Sequence, residues 1–133
     1  MIFLDANIIL RFILDDDPTL SPKAKSIFES ISRSKSKIFI SQMAAFEVTF
    51  TLERTYKLPK SDVRQEFLKI IKVENIILDK REILEKALFF YEDKNISFAD
   101  AYQAALMFKK KVKKIYSFDR DFDRFPQIKR LTN

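Results

Sequence analysis

Four carboxylates stand in or directly beside apolar stretches of the chain. Asp5 ends the apolar run of Ile2, Phe3 and Leu4 in MIFLDANIIL, and Glu47 lies between Phe46 and Val48 in QMAAFEVTF. Asp100 sits among small and apolar residues in SFADAYQAALMF, and Asp119 follows an apolar stretch in YSFDRDFDRF, with Asp121 and Asp123 behind it. An acid in apolar surroundings carries a desolvation cost that only a partner offsets. Two carboxylates ~4 Å apart repel by roughly 4 kcal/mol at an effective dielectric of 20, so a convergent set persists only if protons or cations neutralise it. The chain has no histidine and no cysteine. Any metal must therefore be held by oxygen, which favours Mg²⁺ or Mn²⁺ over zinc. One or two such ions are the natural counter-charge.

Each acid also has a local explanation. Asp5 fits the N-cap of a helix beginning near Asn7. Ser97 and Asp100 have capping-box spacing. Glu47 can pair with Arg54, although sharing a helical face with Met43 and Phe50 argues that it is not merely solvent-facing. The alternation of Asp119, Asp121 and Asp123 suggests a calcium loop, which fails because the sixth position is Arg124 instead of glycine and the twelfth is Arg130 instead of glutamate. Asp15 to Asp17, beside Pro18, reads as a solvated turn.

Composition narrows the classes. A chain of 133 residues, 47% hydrophobic and 33% charged, suits one globular domain spanning 1–133. With no glycine at all, neither a Walker loop nor a GxGxxG loop can exist. No apolar run approaches the ~18 residues of a membrane span, and no basic segment precedes an apolar stretch at the start. The cytoplasm is the expected location, without membrane attachment. The formal charge of +6 comes from the last 25 residues, which hold nine basic groups against three aspartates. A basic segment beside acids suits a protein that handles a polyanion; a lysine run complementing a helix dipole is the plainer explanation.

The elements that must position these acids alternate. Ile2–Leu4, 37–40, Ile76–Leu78, Ile115–Phe118 and 128–131 read as short strands, the first of them buried. Helices are expected over about 7–14, from Ser21-Pro22 to about 34, from an N-cap at Ser41 through 56, from Ser61-Asp62 to about 72, over 80–93, and from Ser97 to about 111. Asn95 takes the place glycine usually occupies after a helix. Alternating strands and helices imply a parallel sheet covered on both faces. The functional cleft then lies beyond the carboxyl ends of the strands.

LDAN near the start, the helical Glu47, SFADA and YSFDRDF together resemble the PIN domain, and most closely the VapC-type toxin nucleases of toxin–antitoxin pairs. The four motifs stand in the family's order across essentially the whole chain. The resemblance implies an α/β, three-layer α/β/α fold with a central parallel sheet of about four to five strands. It implies a Mg²⁺- or Mn²⁺-dependent endoribonuclease with one or two ions, and Asp5, Glu47, Asp100 and Asp119 as its catalytic acids. Asp121 is a further contributor to the metal. Ser117 stands where many members have threonine, and Asn7 matches a frequent polar position. Arg11, Ser117, Arg120, Lys110 and Lys113 are candidates for holding RNA. The expected partners are an RNA substrate, a cognate antitoxin and a second copy in a homodimer, with apolar helices around 43–72 as the surface.

Two alternatives share the fold: a PIN nuclease of RNA processing or decay, and a catalytically inactive PIN-like RNA-binding module. A haloacid-dehalogenase-type phosphatase would need a second Asp in DANI, and a receiver domain would need an acidic pair elsewhere and a late lysine.

Overall fold

The computed structural model describes every residue up to Thr132. The chain forms two compact units, Met1–Arg81 and a second beginning at Glu82. The first contains β1 (Ile2–Phe3), α1 (Ala6–Leu14), α2 (Leu20–Arg33), β2 (Ile38–Ile40), α3 (Gln42–Phe50), a π-helical turn (Thr51–Thr55), α4 (Lys60–Ile71) and β3 (Ile76–Leu78). Its sheet has the order β1-β2-β3, all parallel, with Ile2 opposite Ile38 and Ile38 opposite Ile76. The second contains α5 (Arg81–Asp93) from its second residue onward, α6 (Phe98–Lys110), β4 (Lys114–Tyr116), a 3₁₀ turn (Arg120–Arg124) and β5 (Lys129–Leu131), with β4 and β5 parallel.

Short strands separated by helices, parallel within each unit, match the expected α/β pattern. Their hydrogen bonds form a three-stranded and a two-stranded ladder. None of the helices among the described residues is long and apolar enough to cross a membrane.

Local chemistry sets most boundaries. Ser41 caps α3 by accepting from the Ala44 N–H at 3.1 Å, as expected. The start of α2 differs from the sequence reading. The helix begins at Leu20, so Pro22 is its third residue, and Asp17 anchors the approach by accepting from the N–H groups of Thr19 and Leu20 at 2.9 and 2.7 Å. Those donors hold the Asp17 carboxyl below its ordinary pKa. Asp17 is a fixed turn-maker and not a merely solvated acid. The strand expected to be most buried is also corrected. Leu4 is buried, whereas Ile2 and Phe3 are 55% and 70% exposed. β1 lies at the edge of its ladder, where the rings of Phe3 and Phe39 meet at 4.9 Å.

With no glycine available, five of the described residues take left-handed backbone: Asp15, Lys57, Lys80, Asn95 and Lys111, with φ between 49° and 59°. Asn95 is where a glycine substitute was expected. Lysine has no local hydrogen bond that favours this region. Lys111, exposed at φ 59° as the C-cap of α6, is the clearest case. Lys111→Gly is expected to stabilise the protein by about 0.5–1 kcal/mol, since relief of the left-handed strain exceeds glycine's added chain entropy. A rise in the urea midpoint with an unchanged slope checks it.

Candidate metal centre

Asp100 is placed by the start of α6. Ile96 and Phe98 are each 2% exposed and fix the chain on either side of Ser97. Ser97 has extended backbone, and its Oγ accepts from the Asp100 N–H at 3.1 Å. This puts Asp100 in the first helical turn, where the helix dipole favours negative charge.

Asp119 and Asp121 are placed by the turn after β4. Ser117 Oγ accepts from the Asp119 N–H at 3.0 Å, and Asp119 Oδ1 accepts from the Asp121 N–H at 2.9 Å. These two bonds bend the chain into the 3₁₀ turn, and the buried rings of Phe122 and Phe125 pin it down. One carboxylate oxygen from each of Asp100, Asp119 and Asp121 lies within 4.8 Å of the others.

Their proximity is visible in their proton affinities. Burial, a hydrogen bond to Asp119 and the charges of Asp119 and Asp121 push the Asp100 carboxyl up to about 6, against a smaller opposite effect of the Ser97 hydroxyl. Asp119 moves down, first because Asp100 hydrogen-bonds to it, then through the Asp121 N–H and the charges of Arg130 and Arg124. The two acids therefore act as a dyad that retains one proton, on the Asp100 side, below about pH 6. The donor set is all oxygen. Opposite ligands of a divalent ion with ~2.1–2.5 Å bonds stand about 4–5 Å apart, so the cluster fits a hard cation with small adjustments.

The other expected site residues lie in the first unit. Asp5 is exposed and caps α1, its Oδ2 accepting from the Asn7 N–H at 3.4 Å. Glu47 is exposed on α3. The expectation that its face is shielded is overturned there, because α3 buries Ala44, Ala45, Val48 and Thr49 and leaves Met43 75% exposed. Arg11 is engaged within its own unit, donating to Asp16 and to the Tyr56 hydroxyl, each at 3.0 Å. In the second unit Ser117 serves the turn, while Lys110, Lys113 and Arg120 are exposed.

Two residues emerge that the sequence reading used only to reject a calcium loop. Arg130 grips Asp123 through Nε and Nη2 at 3.0 and 3.2 Å and donates from Nη1 to the Ser117 carbonyl at 3.1 Å. Arg124 donates from Nη1 to the carbonyls of Lys94 and Asn95 at 2.5 and 3.0 Å. The available signal was a pair of arginines placed where a calcium loop needs glycine and glutamate.

The description "PIN domain" belongs to the family model that matches residues 2–128. A curated relative, the VapC ribonuclease of Aquifex aeolicus (strain VF5), is 23% identical over 124 residues, covering 93% of this chain and 91% of that protein. Among solved structures, a Mycobacterium tuberculosis toxin, VapC20, titled as cleaving the sarcin-ricin loop, superposes with a TM-score of 0.46. It is 21% identical, and the match covers 92% of this chain and 93% of that one.

Proposed function

The chain belongs to the PIN domain family, and from that premise we propose that it is a metal-dependent endoribonuclease, the toxin of a toxin–antitoxin pair. The observation that carries this reading is the meeting of Asp100, Asp119 and Asp121 within 4.8 Å. They come from the two stretches, SFADA and YSFDRDF, that match the family's third and last acids. The likeness to a relative named VapC ribonuclease supports an RNA substrate; the antitoxin partner, the homodimer and action in the cytoplasm are carried on the resemblance to VapC-type toxins. Asp5 and Glu47 are carried as the family's first and second acids on their sequence motifs.

Mg²⁺ or Mn²⁺ held by Asp100, Asp119 and Asp121 would supply a Lewis acid for the scissile phosphate and a water of lowered pKa. The chain's own residues prepare that chemistry. Asp100 gives up its proton to become a ligand. Asp119 is held ionised first by its hydrogen bond with Asp100, then by the Asp121 N–H and the charges of Arg130 and Arg124. The capping of Ser97 and Ser117 keeps both acids oriented without using their charge. The exposed Lys110, Lys113 and Arg120 would hold the RNA backbone by its phosphates, which makes binding salt-dependent.

The test is cleavage of a mixed RNA pool by the purified chain in Mn²⁺ or Mg²⁺, with and without EDTA. Cleavage that appears with the ion and stops on chelation is the expected result. Cleavage indifferent to EDTA would remove the metal from the reaction and the reading with it.

A further inference from the structure

We propose that Arg124 is a positioning residue of the acidic centre, setting the turn that bears Asp119 and Asp121 against the helix start that bears Asp100; this rests on the metal-nuclease reading above. Asp100 depends on the start of α6, and Asp121 depends on the 3₁₀ turn. These segments are separated in sequence, so something must hold their spacing.

The guanidinium of Arg124 reaches both. Its Nη1 donates to the Lys94 and Asn95 carbonyls at 2.5 and 3.0 Å, and its Nη2 lies 3.9 Å from Asp121 Oδ1. Lys94 and Asn95 form the turn between α5 and α6, and only Ile96 separates Asn95 from Ser97, the N-cap that places Asp100. Helix-terminal carbonyls lack partners of their own, and a planar fork of donors is suited to holding two of them. A second contact ties the same segments: the Lys94 ammonium lies 5.5 Å from the centre of the Phe125 ring, next to Arg124 in sequence. Arg130 has a different task. It links Asp123 to the Ser117 carbonyl and so sets the shape of the turn itself. Arg124 sets where that turn stands relative to α6.

Positioning and plain electrostatics predict opposite signs. A cation roughly 4 Å from a ligating acid repels a bound divalent ion, and removing it in a water-like setting would tighten binding by roughly fivefold. Loss of a positioning contact should weaken binding instead, by about tenfold. Calorimetric titration of the full chain with Mn²⁺ alone distinguishes the two. Arg124→Lys, in which a lone ammonium keeps the charge but not the fork, is expected to bind about tenfold more weakly, and Arg124→Gln, which also loses the repulsion, about twofold more weakly. Lys129→Gln, an equal charge change at an exposed residue of β5, should not weaken binding. Far-UV circular dichroism and melting in EDTA establish that the variants fold. If Arg124→Gln does not fold, Arg124→Lys carries the test. Unchanged or tighter binding in folded Arg124 variants, beside a wild type that binds Mn²⁺, overturns the positioning role alone. A wild type that does not bind Mn²⁺ overturns the metal reading, and this inference with it.

Discussion

Replacing Asp100 by Asn is expected to reduce metal-dependent RNA cleavage by about a hundredfold or more while the protein remains folded. The substitution isolates the ligand from the scaffold. Asparagine has the shape of a protonated aspartate, and its amide can donate to Asp119 as the protonated Asp100 carboxyl does. It cannot offer a charged oxygen to a cation. Ser97 still caps α6 through the Asp100 backbone N–H, a bond that the side chain at 100 does not make.

Stability should move the other way from activity. Asp100 has a folded-state pKa raised to about 6. Between its ordinary value and about 6 the folded state binds more protons than the unfolded one, so stability falls as pH rises through that window. The full benefit of the proton is present below the ordinary carboxylate pKa and gone above about 6. Asp119, shifted down, has the opposite sign: its contribution is present above the ordinary carboxylate pKa and lost as pH falls through the depressed value. In metal-free conditions Asp100→Asn should therefore match the wild type near pH 4. Near pH 7 it should be more stable by about 1 kcal/mol, less than the full shift implies because water reaches the site. Initial cleavage rates, with denaturation in EDTA at both pH values, check the pair of effects. Near-wild-type cleavage by the variant would remove Asp100 from the centre. A loss of stability at neutral pH would make its carboxylate a structural cap.

The acids of the second unit were legible because their placement is local. Ser97, three residues before Asp100, is a short-range signal, and its hydroxyl accepts the Asp100 N–H as the spacing implies; the like bond from the Asp119 N–H to Ser117 is seen only in the structure. The strand–helix alternation was legible for the same reason. Glu47 was misread because α3 is apolar nearly all round, with Met43, Phe46 and Phe50 on one side and Ala44, Ala45 and Val48 on the other. Periodicity then shows which residues share a face but not which face the core takes. Asp15, Asp16 and Asp17 looked alike in composition, and only geometry shows that Asp17 meets the N–H groups of Thr19 and Leu20. Arg124 was hidden for a different reason. Its partners, Lys94 and Asn95, are about thirty residues away and are met through backbone carbonyls, which carry no side-chain signature.

Affinity for Mn²⁺ should fall steeply as pH drops below about 6, because an ion entering the centre must displace the proton that Asp100 retains. Above that value Asp100 is already ionised and the affinity should be nearly level. Below it, each further pH unit should cost up to about tenfold, so binding near pH 5 should be about tenfold weaker than near pH 7.5. Asp119 stays ionised through this range, since its pKa moves down, and so the steep segment belongs to Asp100. Two consequences make the assignment testable by calorimetry. Near pH 6 binding should release about half a proton, measured by repeating the titration in buffers of different ionisation enthalpy. In Asp100→Asn the residual, weaker binding should lose this pH dependence between about 5 and 7, because the exchanging proton is gone. A wild-type affinity that stays level down to about pH 5 would mean that the ion does not compete with the dyad's proton, and would place it away from Asp100.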